Sequence, residues 1–316
     1  MTAARDLLDA FTARITSTAF GLEPVVRGLT IAAIACGHVL LQGVPGIGKT
    51  LLARAFTRAL GGRFERIQGT ADLLPADLTG VHILDAARAN FVLRQGPLFG
   101  DVVLVDEINR AGPKTQSAML QAMEERTIAI DGEIYALSAD FLVIATQNPH
   151  EFEGTYPLPE SQLDRFLLLI QMSYPTAAAE RAVLTAYDRP GIGYPEGLNA
   201  ITPIAEGMLA AARSQAAALH VATSLYDYAH AIAEATRAHA HISLGLSTRG
   251  LLALMRCARA EAAMNGHDFV SPDDIKSVAR MVIAHRIVLA PEVSLEGISA
   301  PTVVADVLGR VEVPRQ

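Results

Sequence analysis

The sequence predicts an α/β core, a parallel sheet packed between helices, followed by a smaller all-helical domain. Three observations carry that prediction. Short apolar runs alternate with helical patterns over residues 1–175. A glycine-rich octet lies between one such run and one such helix. Beyond Tyr174-Pro175 the chain becomes alanine-rich and helical in period. The boundary is expected at about residue 175, giving a core of residues 1–175 and a helical domain of residues 176–316 with its own small core.

The first buried strand is expected at residues 39–41, Val-Leu-Leu. Gly43-Val44-Pro45-Gly46-Ile47-Gly48-Lys49-Thr50 follows and fits G-x-x-x-x-G-K-[ST], the phosphate-binding loop. Residues 51–60, from Leu51 on, carry apolar side chains at helical spacing and stop at Gly61-Gly62. A strand, a glycine-rich turn and a helix N-terminus present several backbone N–H groups to one anion. Gly46 and Gly48 allow close approach, Lys49 would reach the β- and γ-phosphates, and the Thr50 hydroxyl would ligate Mg²⁺. ATP with Mg²⁺ is the cofactor this loop predicts.

Further buried strands are expected at residues 64–68, 102–105, 141–146 and 166–170. The run Val102-Val103-Leu104-Val105 ends in Asp106-Glu107, so it reads as a parallel strand delivering carboxylates at its C-terminal edge, where open α/β sheets bind ligands. Asp106 would hold the Mg²⁺ shell and Glu107 would polarise the attacking water, which argues for hydrolysis rather than binding alone.

Between the two motifs, residues 80–84 and 91–94 suggest a hairpin with residues 85–90 at its tip. A second hairpin is expected from residues 127–130 and 133–137 around Asp131-Gly132, a favoured two-residue turn. In the second half, residues 177–179, 210–212 and 216–218 are alanine triplets in helical surroundings. Ser271-Pro272-Asp273-Asp274 is a helix start, with Ser271 as N-cap and Pro272 at the first position.

Composition narrows the function classes. The formal charge is −7 with no basic block, which argues against a nucleic-acid motor. The 29–41 stretch, the most apolar, is broken by Cys36-Gly37-His38, so no membrane span is expected, nor is a signal-peptide core. The two cysteines, Cys36 and Cys257, read as small buried hydrophobes in a reducing compartment, hence a cytoplasmic protein. His239 and His241 read as partly exposed helix-end residues rather than metal ligands.

Three strings are more specific than the phosphate loop: Asp106-Glu107-Ile108-Asn109-Arg110-Ala111, Ala145-Thr146-Gln147-Asn148-Pro149, and Leu158-Pro159-Glu160-Ser161-Gln162-Leu163-Asp164-Arg165-Phe166. In this order and spacing, from about residue 20 onward, the chain strongly resembles the MoxR family of AAA+ ATPases. The resemblance implies a homo-hexameric ring with ATP at subunit interfaces. It makes the first hairpin the helix-2 insert and the second the pre-sensor-1 hairpin. It places Asn148 at sensor 1, Arg165 at the arginine finger acting on a neighbour's γ-phosphate, and Arg249 in Ser247-Thr248-Arg249-Gly250 at sensor 2. Arg110 is a second candidate for a trans-acting group. Similar proteins carry Gly-Gln near the adenine pocket where this chain has Gly21-Leu22, a departure that bears on nucleotide preference.

The resemblance further implies a chaperone-like motor that remodels an unidentified protein client, together with a separate partner bearing a von Willebrand factor A domain. Two other readings belong to the same clade. A nucleic-acid motor predicts basic hairpin tips, whereas the second tip is Asp131-Gly132-Glu133 and the first has Arg88 beside Asp85. A metal-chelatase motor subunit predicts stimulation by a porphyrin-inserting complex.

Overall fold

The computed structural model describes residues 2–85, 90–148, 154–188 and 196–314. Five parallel strands form its central sheet: β1 (Val39–Gly43), β2 (Phe64–Gln68), β5 (Val102–Asp106), β8 (Leu142–Gln147) and β9 (Leu168–Met172), in the order β2-β5-β8-β1-β9. Registers such as Leu40 opposite Ala145 and Leu169, and Ile67 opposite Val105, align the strand ends. The phosphate loop and the acid pair therefore leave the same C-terminal edge.

The antiparallel pairs β3 (Gly80–Asp85) with β4 (Asn90–Gln95), and β6 (Thr127–Ile130) with β7 (Glu133–Ala136), are the two expected hairpins. Asp131 and Gly132 turn the second one with φ of 51° and 89°, as a two-residue turn requires. Arg88 at the first tip, and Pro149, lie outside the described residues. The His82 ring links the hairpins, with Nδ1 2.8 Å from the Asp131 carboxylate and Nε2 3.1 Å from the Tyr135 hydroxyl.

Strand alternation sends Val39 and Leu41 to one face of the sheet and Leu40 to the other. The Leu40 face packs with Val103, Val105, Met119, Leu120 and Phe166, and α5 (Pro113–Glu125) covers it. The opposite face lies under α1 (Ala3–Ile15), α2 (Glu23–Ile34) and α3 (Lys49–Leu60). Leu7, Phe11 and Ile15 sit on one stripe of α1, and Phe11 stacks on Phe56 of α3 with centroids 4.7 Å apart.

The short helices α4 (Pro75–Thr79) and α6 (Glu160–Leu163) punctuate the core. The C-terminal part contains α7 (Ala177–Tyr187), α8 (Glu196–Ala200), α9 (Met208–Ala218), α10 (Thr223–Ala238), α11 (Thr248–Asn265), α12 (Pro272–Ile283), α13 (Pro291–Leu295) and α14 (Ala300–Arg310). All three alanine triplets fall within α7 and α9. Ser271 caps α12 as expected, accepting from the Asp274 N–H while the Asp274 carboxylate accepts from the Ser271 N–H.

Four expectations need correction. The helical part is not purely helical, because β10 (Ile242–Leu244) and β11 (Val288–Leu289) form a short antiparallel ribbon. It also lacks a core of its own: one apolar cluster runs from Leu41 and Ile144 of the sheet through Phe11 and Leu29 to Leu254 and Val278. Cys257 is buried, but Cys36 is exposed, at φ 51° where the chain turns out of α2. His239 is buried rather than partly exposed, its Nε2 2.9 Å from the Asp306 carboxylate. Among the described residues no histidine, cysteine and carboxylate cluster could hold a metal ion, and no helix is long and apolar enough to cross a membrane.

Candidate active site

The octet folds as its residue types dictate. β1 ends at Gly43, where a Cβ would meet the Met172 carbonyl at 2.5 Å and the Ile47 side chain at 2.8 Å, so the turn closes only around glycine. Gly46 and Gly48 adopt φ of 81° and 87°, and α3 then starts at Lys49. The Lys49 Nζ donates to the Gly43 carbonyl at 2.6 Å, which lays the side chain back over the loop.

A cavity of about 430 Å³ opens over this helix N-terminus. Pro45, Gly46, Gly48, Lys49, Thr50 and Leu51 line it from the loop side; Asp106, Glu107 and Asn148 line it from β5 and β8. Ile47 is turned into a neighbouring apolar cavity of about 260 Å³ that shares Gly46, Gly48 and Leu51. Leu22, Val183 and Tyr187 line that space, so the departure at Leu22 lies directly beside the phosphate loop.

The acid pair is held by residues that sequence reading missed. Arg66 of β2 places its guanidinium 2.7 Å from the Asp106 carboxylate. Thr146 accepts from the Glu107 N–H at 2.9 Å and donates to Asp106 at 3.3 Å. Glu107 itself has φ 56° and ψ 55°, a left-handed conformation uncommon outside glycine and typical of functional sites. Its carboxylate accepts from Gln68 Nε2 at 3.2 Å and pairs with Arg110 at 3.1 Å. Arg66 and Gln68 lie two apart on a half-exposed strand, so they point to the same face; their alternation in Arg66-Ile67-Gln68 was the available signal. Arg110 faces the Glu107 of its own chain.

Arg165 and Arg249 are brought together, but elsewhere. Both pair with Glu124 of α5, Arg165 at 3.3 Å. They line a cavity of about 690 Å³ with six arginines against two acids, and it shares no residue with the phosphate-loop cavity. Cys36, Gly37 and His38 line this arginine cavity and immediately precede β1, whereas the phosphate loop immediately follows it. Five strand residues span about 16 Å, so the arginines and the lysine sit at opposite edges of one sheet.

A parallel sheet in this order, a phosphate loop after β1 and an acid pair after β5 define an AAA-type ATPase. Residues 38–168 match the ATPase family associated with various cellular activities (AAA), and residues 234–307 match the AAA lid domain. The uncharacterized protein YeaC of Bacillus subtilis is 44% identical over 91% of this chain and 89% of its own length. The chaperone MoxR1 of Mycobacterium tuberculosis is 38% identical over 93% and 79%, and the protein MoxR of Paracoccus denitrificans 34% identical over 88% of each chain. A crystal structure from Cytophaga hutchinsonii superposes with a TM-score of 0.90 at 35% identity, covering 99% of this chain and 96% of that one. The chain belongs to the MoxR family of AAA+ ATPases and is an ATP-hydrolysing enzyme.

Proposed function

We propose that this ATPase works as a homo-hexameric ring that depends on Mg²⁺ and remodels a protein client. In this reading residues 1–175 are the nucleotide-binding core and residues 176–316 the lid. Gly43 to Leu51 cradle the triphosphate, Glu107 and Asn148 orient the attacking water, and Arg165 and Arg249 come from the adjacent subunit. The observation that carries the reading is the division of the machinery between two edges of the sheet. An arginine side chain cannot reach across a strand's length, so a complete site needs the arginine edge of one subunit on the loop edge of the next. Such a contact is head-to-tail, the kind that builds a ring where the rotation between subunits closes on itself.

Thr50 and Asp106 offer a hydroxyl and a carboxylate, both hard oxygen donors, to one cavity. The residues present therefore fit Mg²⁺, which when bound neutralises phosphate charge. The chain's own contribution is to desolvate the triphosphate, aim Glu107 at water and hold Asn148 beside it.

A protein client is favoured over nucleic acid by the large side chains that the hairpins expose, which include Leu84, Phe91 and Ile134. The name of the chaperone MoxR1 supports the same reading. The separate von Willebrand factor A partner and the cytoplasmic location are part of the proposal on the resemblance alone.

The test is steady-state ATP hydrolysis per subunit as protein concentration is raised. Specific activity should climb with concentration in wild type and fall at least about a hundredfold in Arg165→Ala, as loss of a transition-state guanidinium does. Flat specific activity that survives the substitution would refute the shared site.

A further inference from the structure

Where Asp164-Arg165-Phe166-Leu167 runs from α6 into β9, the carbonyls of Asp164, Phe166 and Leu167 take their donors from a distant side chain. Arg286, just beyond α12 and 5% exposed, supplies them. Its Nε donates to the Asp164 carboxylate at 2.7 Å. Its Nη1 donates to the Leu167 carbonyl at 3.0 Å and to the Val282 carbonyl. Its Nη2 donates to the Asp164 carbonyl at 3.3 Å and the Phe166 carbonyl at 2.5 Å. All five guanidinium N–H groups are thereby used, a set that a lysine ammonium cannot reproduce. His285 Nε2 adds a second donor to the Phe166 carbonyl at 3.0 Å.

The same bracket reaches Arg249. The other oxygen of Asp164 accepts from the Ser247 hydroxyl at 3.0 Å, and Ser247 is the N-cap of α11, accepting from the Gly250 N–H at 3.0 Å. The Arg286 stem lies against that first turn so closely that a Cβ at Gly250 would meet its Cδ at 2.9 Å. One buried ion pair thus fixes both the chain on either side of Arg165 and the helix start that carries Arg249.

We propose that Arg286, through Asp164, is the positioning residue for both arginines that a subunit presents to its neighbour's nucleotide. This rests on the shared-site reading above. Arg286 touches no part of its own phosphate-loop cavity, so its loss should damage the site of the next subunit and spare its own. Misplacement of a transition-state group by about 1 Å costs on the order of a hundredfold, so even a small slackening of the bracket is visible in turnover.

Subunit mixing tests this. Arg286→Met should bind a fluorescent ATP analogue with unchanged affinity yet lose at least about tenfold in turnover. Mixed with Glu107→Gln, which keeps its arginines but lacks the water-activating carboxylate, it should recover activity several-fold above either alone. Mixed with Arg165→Ala, which has the same defect, it should recover none. Should Arg286→Met fail to fold by circular dichroism, Asp164→Asn removes the same ion pair without changing shape and should show the same asymmetry. Undiminished turnover, or equal recovery with both partners, or no recovery with Glu107→Gln, overturns the inference. The control pair Arg165→Ala with Glu107→Gln separates the two levels: if that pair does not recover, the shared site itself is wrong.

Discussion

His38 shows how much a single buried side chain constrains at the start of β1. Its Nε2–H donates to the Met123 carbonyl at 3.0 Å and its Nδ1 accepts from the Val143 N–H at 3.0 Å, which fixes a neutral tautomer joining β1, α5 and β8. Burial, with Arg126 and Arg256 nearby adding to it, lowers its pKa from 6.5 to about 4. The unfolded chain therefore binds a proton near pH 6.5 that the folded chain refuses until near pH 4. Stability should fall as pH drops through that window, by about 3 kcal/mol from this group. His285 is displaced in the same direction, also by burial. Urea unfolding at a series of pH values should show a steeper loss below pH 6.5 in wild type than in His38→Gln; equal slopes would remove His38 from the account. At this scale the loop and the acid pair were readable because each is a run of adjacent residues, whereas Asn148, which lines the same cavity, was picked out only through the family resemblance. Arg66, Thr146 and the left-handed Glu107 were not readable, because they matter only through strands that pair across 40 residues.

Helix ends and hairpins were the most readable elements. The start of α12 follows from Ser271-Pro272, and the cap is worth measuring. Ser271→Ala should cost about 1 kcal/mol of stability in denaturant titration. Asp274→Ala should cost more, since the Asp274 carboxylate also accepts from Asn265 Nδ2 at 3.0 Å and faces His267 Nδ1 at 3.1 Å. A larger loss from the serine would mean that the box is not what holds this corner. The last strand of the sheet was expected at residues 166–170 and begins instead at Leu168. Phe166 and Leu167 are apolar enough for a strand, but their carbonyls are taken by Arg286 and His285 from 119 or more residues away. Apolar runs reveal burial; only the backbone partners decide where pairing starts.

For the whole molecule, the α/β core and the helical C-terminal part could be anticipated from alternation and composition, but the strand order β2-β5-β8-β1-β9 and the apolar cluster that joins one face of the sheet to the C-terminal helices could not. Phe11 of α1 stacks on the phosphate-loop helix, and the neighbouring Ala4 N–H donates to Gln215 of α9 at 2.9 Å. Arg27 of α2 holds the buried Glu261 of α11 at 2.7 Å. The helical part is thus fastened to the back of the nucleotide-binding helices, and the arginines it helps to carry face outward at the far edge. Long-range packing of this kind leaves no periodic trace in a sequence.

The uneven fate of the two cysteines has a practical side. Cys257 is buried, with its thiol pushed up to about 12, so it is inert to alkylation. Cys36 is exposed on the wall of the arginine cavity. A thiol-reactive dye should therefore attach once per chain at the surface expected to meet the next subunit, with no engineered label. Its attachment rate should slow over the protein concentrations at which specific ATPase activity climbs, and a constant rate over that range would place Cys36 away from the contact. The native Cys36 thiol thus offers a labelling readout of the proposed contact between subunits.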